Sequence, residues 1–130
     1  MIAPLTVSTH LKDIAVAPAV DGFLLSEVIL GQGLLDLPRA ISLVRQSRPK
    51  TRMSLEMITR DPLLVPCFSD KYWATLAGRN GLYLARTFRF VRDHQSPLPT
   101  ISHLSHGEQM QVENQNVAAC LRYARENLML

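Results

Sequence analysis

Along this chain the spacing of apolar positions changes several times, and the changes lay out a β-α-β-α order. Pro4 to Thr9 is short and rich in β-branched residues, and it runs into the polar cluster His10-Leu11-Lys12-Asp13. That pattern predicts a strand feeding a loop that carries polar side chains. Residues 14 to 35 contain Pro18, Gly22, Gly31 and Gly33 and sustain no helical period, so a long excursion is expected there. Long loops in compact domains are more often functional than incidental.

A helix follows. Asp36 is a good N-cap, Pro38 fits the first turn, and Leu37, Ala40, Ile41 and Val44 fall at i, i+3, i+4 and i+7. It should stop near Arg48-Pro49, because proline disfavours helix in the residue before it. Arg52 to Met57 reads as a second short strand, with Met53, Leu55 and Met57 on one face and Ser54 and Glu56 on the other. Thr59-Arg60-Asp61-Pro62 is a turn signal, and Val65-Pro66 continues the loop. Ser69 and Asp70 can cap a short helix through Trp73. A longer helix is expected from about Gly81 to Asp93, with Leu84, Ala85, Phe88 and Val91 as its stripe. Ser96 to Thr100 is a linker. Ser105 and Glu108 form a capping box opening a helix to the C-terminus, with Met110, Val117, Leu121, Ala124 and Leu128 on one side.

This order predicts a parallel strand pair joined by a crossover. Two parallel strands make a poor sheet alone, because parallel sheets need both faces covered and open edges invite pairing. The pattern reads as a portion of something larger.

Composition narrows the function little. The chain has 130 residues, 47% of them apolar, enough for a core. Its net charge is +3, and its 11 Arg and 3 Lys are dispersed rather than clustered, which gives no nucleic-acid patch. Cys67 and Cys120 show no disulfide or zinc spacing and read as reduced, buried thiols. With no signal-peptide pattern and nothing near the roughly 18 apolar residues of a membrane span, a cytoplasmic protein is expected.

His10 and Glu56 stand out by position. Neighbouring parallel strands lie about 4.8 Å apart, and side chains at their carboxyl ends can converge on one ion or substrate. Taken singly, a histidine is more often a surface or satisfied core residue, and a strand glutamate is usually solvated. Lys12 and Asp13 can orient substrate or ligands, or form a salt-bridged loop pair. Arg60 can meet a phosphate or carboxylate of a substrate, or serve as surface charge. Gly31 and Gly33 let the backbone approach the site, or make a tight turn. Tyr72 and Trp73 read as core anchors. His94, His103 and His106 lack metal-ligand spacing.

The segments HLKD at 10–13, LGQGLLD at 30–36 and SLEMITRDP at 54–62, followed by KYWATL at 71–76 and LARTFRFVR at 84–92, resemble the last two βα units of the sugar phosphate isomerase/epimerase family. The resemblance covers nearly the whole chain. It implies an α/β fold: the C-terminal βαβα portion of a xylose isomerase-like TIM (β/α)8 barrel. Residues 1–95 would supply the last two units, and 96–130 the linker and a long C-terminal helix. It also implies one divalent metal site (manganese, cobalt, magnesium or zinc). His10 would be the seventh-strand ligand and Glu56 the eighth-strand ligand and acid/base, while Lys12, Asp13 and Arg60 would contact the sugar or sugar phosphate. The implied reaction is isomerisation or epimerisation through an enediol.

The family's other two metal ligands belong to earlier strands that this sequence does not contain, and a whole barrel runs to about 250 residues. Catalysis by this chain alone is therefore not expected, and a complementing barrel half or an oligomer is. The alternative is a non-catalytic relic that pairs its strand edges with itself or a partner. A barrel endonuclease would need a cluster of His and carboxylate ligands absent from this sequence, so neither nucleic acid nor membrane is an expected partner.

Overall fold

In the computed structural model, which describes residues 2–76, 78 and 81–130, the chain is a mixed α/β protein with two small sheets and a long C-terminal helix. A 3-10 turn at Ala3–Leu5 comes first, where Pro4 has no N–H to give to a ladder. The strand predicted at 4–9 accordingly starts later. β1 spans Ser8–Leu11 and so contains His10.

The parallel pair is present. β1 lies beside β4 (Arg52–Leu55), with Thr9 opposite Met53 and His10 opposite Ser54. The ladder runs one residue past β4, where the Glu56 N–H donates to the Leu11 carbonyl at 2.9 Å. Between these strands lies helix α1 (Leu37–Ser47), with the Asp36 carboxylate accepting from the Arg39 N–H.

Residues 14–35 are not an irregular excursion. β2 (Asp13–Ala19) and β3 (Gly22–Val28) form an antiparallel hairpin closed at Val20-Asp21, with Ala19 opposite Gly22. Pro18 is tolerated because β2 is the edge of a three-stranded sheet in the order β2-β3-β5. The third strand, β5 (Leu63–Val65), falls where the sequence suggested a loop. Gly22 has a φ of 152°, and a Cβ there would run into the backbone of Val65 and Cys67 where β5 leaves the sheet. Close strand approach requires glycine at that point.

Three further helices complete the chain: α2 (Asp70–Trp73), α3 (Gly81–Asp93) and α4 (His106–Asn127). The Ser105–Glu108 capping box is formed in both directions. α4 turns inward Val117, Ala124 and Leu128 of the expected stripe, but the inward face is shifted from the one its apolar residues suggested. Cys120 is fully buried and Val112, Asn116, Tyr123 and Ala124 are half-buried, whereas Met110 and Leu121 are exposed.

The principal core lies under one face of the parallel pair. Leu30, Leu37, Ile41, Cys120 and Leu128 are buried there, with Leu11, Met53, Leu55, Met57 and Tyr123 packed against them. Each aliphatic side chain so buried contributes about 1.5–3 kcal/mol. Since strand side chains alternate, His10 and Ser54 occupy the opposite face, where Ser8, His10 and Arg52 are exposed. Among the described residues, neither β1 nor β4 has a second strand neighbour. No helix of the described residues is long and apolar enough to cross a membrane.

Candidate functional site

The HLKD segment divides at Lys12. Its two halves face different environments. Asp13 opens β2 and is 1% exposed. One carboxylate oxygen accepts from the Ile14 and Leu35 N–H groups at 2.9 and 3.1 Å, and the other accepts from Gly31 and Gly33, each at 3.0 Å. Four backbone donors therefore surround one buried carboxylate, which is the condition under which such a charge is tolerated. Asp13 is thus neither salt-bridged to Lys12 nor free to reach a substrate. It folds the 31–35 loop around itself. Gly33 leaves room for this carboxylate, and Gly31, at φ 85°, leaves room for the Tyr123 ring of α4. The two glycines serve the cradle and the α4 contact.

His10 and Glu56 do come together. His10 Nδ1 and Glu56 Oε2 are 2.9 Å apart at the carboxyl ends of adjacent parallel strands. With Glu56 ionised, this contact needs the hydrogen on Nδ1, which leaves the lone pair of a neutral ring on Nε2. The Lys12 ammonium donates to the other oxygen, Glu56 Oε1, at 2.5 Å. That hydrogen bond, and then the one from His10, holds the Glu56 carboxyl below the usual glutamate range. The same bond to Glu56 lifts Lys12 above the ordinary lysine value, with Glu27 adding to it. Glu56 is therefore a carboxylate and Lys12 an ammonium around neutral pH.

Arg60 does not stand free. Its guanidinium turns toward Glu27 Oε1 of β3 at 3.6 Å, and Lys12 Nζ lies 3.5 Å from the same oxygen. Glu27 Oε2 accepts from the Ile58 N–H at 3.0 Å. The sequence reading passed over this residue. Its signal is a lone acid in the run Phe23–Leu30, flanked by Leu24, Leu25, Val28, Ile29 and Leu30, where a charge has to find partners. The loop carrying Arg60 is fixed further on. The Thr59 N–H donates to Glu113 and Asn116 donates to the Thr59 hydroxyl, both from α4 and both at 2.9 Å. The Asp61 carboxylate caps the Ile101 and Ser102 N–H groups at 2.6 and 2.9 Å.

An imidazole and a carboxylate on one open face are a chemically suitable start for a divalent-ion site. For both to ligate one ion, their mutual hydrogen bond must give way and Lys12 must leave Oε1. Among the described residues no three His, Cys, Asp or Glu side chains gather as a cation requires, so the fit extends to two donors. Cys67 and Cys120 are buried and unpaired. Burial raises both thiol pKa values, which suits inert core residues. Trp73 anchors by donating to the Cys67 carbonyl at 2.8 Å. Comparison with protein-family models, with curated proteins and with solved structures finds no match to this chain.

Proposed function

We propose that this chain is the C-terminal βαβα portion of a barrel resembling the sugar phosphate isomerase/epimerase family. In this reading it contributes two ligands, His10 and Glu56, to one divalent-cation site. The observation that carries the reading is their convergence, 2.9 Å apart, on the open face of a parallel strand pair. The unpaired edges of β1 and β4 support it, since strands seven and eight of a barrel each need another neighbour. Residues from the missing strands, on the same polypeptide or a complementing one, would complete the site.

A bound divalent ion would polarise the carbonyl and neighbouring hydroxyl of a sugar. Glu56, once Lys12 and His10 have given way to the ion, would take the proton from the carbon beside the carbonyl. It would return that proton on the neighbouring carbon, or on the other face of the same carbon, after the enediol forms. His10 would ligate the same ion, and Lys12 and Arg60 would supply positive charge for a phosphate or for sugar oxygens. Asp13 acts at one remove, by holding the loop beside the site.

The Lys12 ammonium on Glu56, where a metal would sit, favours a second reading: a non-catalytic relic that uses its open edges to assemble. Intact mass of the native product in its own cells, followed by Mn²⁺ retention in wild type, His10→Ala and Glu56→Gln, separates the two. A product near the size of a whole barrel whose Mn²⁺ retention needs both residues supports the catalytic reading. A 14.6 kDa product that retains no Mn²⁺ in any form supports the relic.

A further inference from the structure

The amino ends of β1 and β4 lie away from the His10–Glu56 pair and carry a surface of a different kind. The basic residues are spread over the chain as a whole. Four of them, Arg45, Arg48, Lys50 and Arg52, nevertheless fall within eight residues, and no acid occurs from 37 to 55. All four are exposed, and among the described residues none pairs with a carboxylate. Arg45 in the last turn of α1 and Arg48 at its C-cap suit the negative end of the helix dipole, but Lys50 and Arg52 stand beyond it. Arg48 and Lys50 converge on an open cleft of about 340 Å³, closed on its other sides by Val7, Pro49 and Thr51.

The cations adjoin an aliphatic patch. Ile2, Leu5 and Val7 are 80%, 79% and 66% exposed. Their segment is tied to the basic turn. Arg48 Nη1 donates to the Pro4 carbonyl at 3.4 Å, the Thr51 hydroxyl lies 2.9 Å from the Thr6 carbonyl, and the Arg52 N–H donates to the Val7 carbonyl at 3.4 Å. Large apolar side chains grouped in the open and rimmed by polar groups mark an interaction site.

We propose that this surface docks on an anionic lipid membrane. The four cations meet headgroup phosphates, and Ile2, Leu5 and Val7 enter the boundary between headgroups and acyl chains. Charge complementarity carries the choice of a polyanion, because cations with no internal partner can take phosphates without breaking an ion pair. The aliphatic trio decides which polyanion. A single-stranded nucleic acid is held by aromatic side chains that stack its bases, and neither 2–7 nor 45–52 contains one. Lipid rewards aliphatic insertion beside basic charge, and it requires no spanning helix. The proposal is independent of the reading of His10 and Glu56. Docking by the amino ends of the strands leaves the carboxyl ends, where that pair sits, clear of the bilayer.

Co-sedimentation of the 130-residue chain with phosphatidylcholine vesicles, with and without about one-third phosphatidylserine, tests it. Binding is expected only to the anionic vesicles, falling as salt rises above about 0.1 M. The double variant Arg48→Gln/Lys50→Gln should bind about thirtyfold more weakly, since each cation at an anionic surface is worth about fivefold. Leu5→Ser should cost about tenfold through lost insertion. Arg92→Gln, which removes an exposed cation beside Asp93 on α3, should bind like wild type. Tm values close to wild type for all three are expected of exposed positions and show that the fold is intact. No binding to anionic vesicles, equal binding to both kinds, or an equal loss in Arg92→Gln overturns the proposal. So does binding that ignores Leu5→Ser and is matched by duplex DNA at the same phosphate concentration, which would make the patch a general polyanion surface.

Discussion

Two carboxylates lie close to the same four-residue segment, and they are treated in opposite ways. Asp13 is buried and takes four backbone hydrogen bonds, one from Ile14 of β2 and three from the 31–35 loop. Glu56 stands on the open face with two side-chain partners, Lys12 and His10, both able to swing away. The first arrangement is rigid because all four donors are main chain and converge on one buried carboxylate. The second is exchangeable because each partner can be replaced by water, by an ion or by another carboxylate. Two carboxylates beside one segment are thus held in opposite ways, one by the main chain and one by side chains.

The largest effect should come at the rigid carboxylate. Asp13→Ala removes the buried acceptor of four backbone N–H groups and is expected to lower the unfolding free energy by about 3–5 kcal/mol in chemical denaturation. A loss under about 1 kcal/mol would end the distinction drawn between the two sites. The cradle also depends on backbone shape. Gly31→Ala places a Cβ at φ 85° into the Tyr123 ring, and a loss of about 1–3 kcal/mol is expected from the same measurement.

Asp61 tests the scheme at an intermediate site. Its hydrogen bonds, that with Ser102 foremost and then the Ile101 and Ser102 N–H groups, hold it below the usual aspartate range. A folded-state pKa below the unfolded one gives stability that is present above the unfolded value and lost as pH falls through the folded one. Tm measured from about pH 5 to pH 2 should therefore fall more steeply in wild type than in Asp61→Asn. Equal slopes would remove Asp61 as a pH-dependent tie. Smallest of all, His10→Ala and Glu56→Gln should leave Tm close to wild type, since exposed ion pairs contribute little. A large drop in either would make the open face structural after all.

Much of the architecture was legible because it is local. Asp36 before Leu37, Ser69 before Asp70, and the Ser105–Glu108 pair mark helix ends through hydrogen bonds made within one turn, Pro49 after Arg48 marks one by steric exclusion, and all four marks agree with the observed helices. The β2–β3 hairpin was hidden because its strands read as apolar runs broken by Pro18, without clean alternation. The stripe of α4 was legible in part: Val117, Ala124 and Leu128 are buried or half-buried as expected, while Cys120 and Asn116 also face inward and Met110 and Leu121 do not, a choice made by the surfaces the helix meets. Within the site, His10 and Glu56 were visible from strand position. Glu27 was not, because its partners lie 15, 31 and 33 residues away and nothing nearby announces them.

By itself, then, the sequence determined the helices, the parallel β1–β4 pair and the shared face of His10 and Glu56. Periodicity and capping act over a few residues, and strand alternation fixes which side chains share a face. Tertiary structure alone decided that Asp13 turns inward to four N–H groups, that Glu27 comes to stand between Lys12 and Arg60, and that Glu56 accepts from Lys12. Those outcomes depend on where a hairpin from one sheet meets the strand ends of another, and that meeting is set by packing and charge balance among residues far apart in the chain.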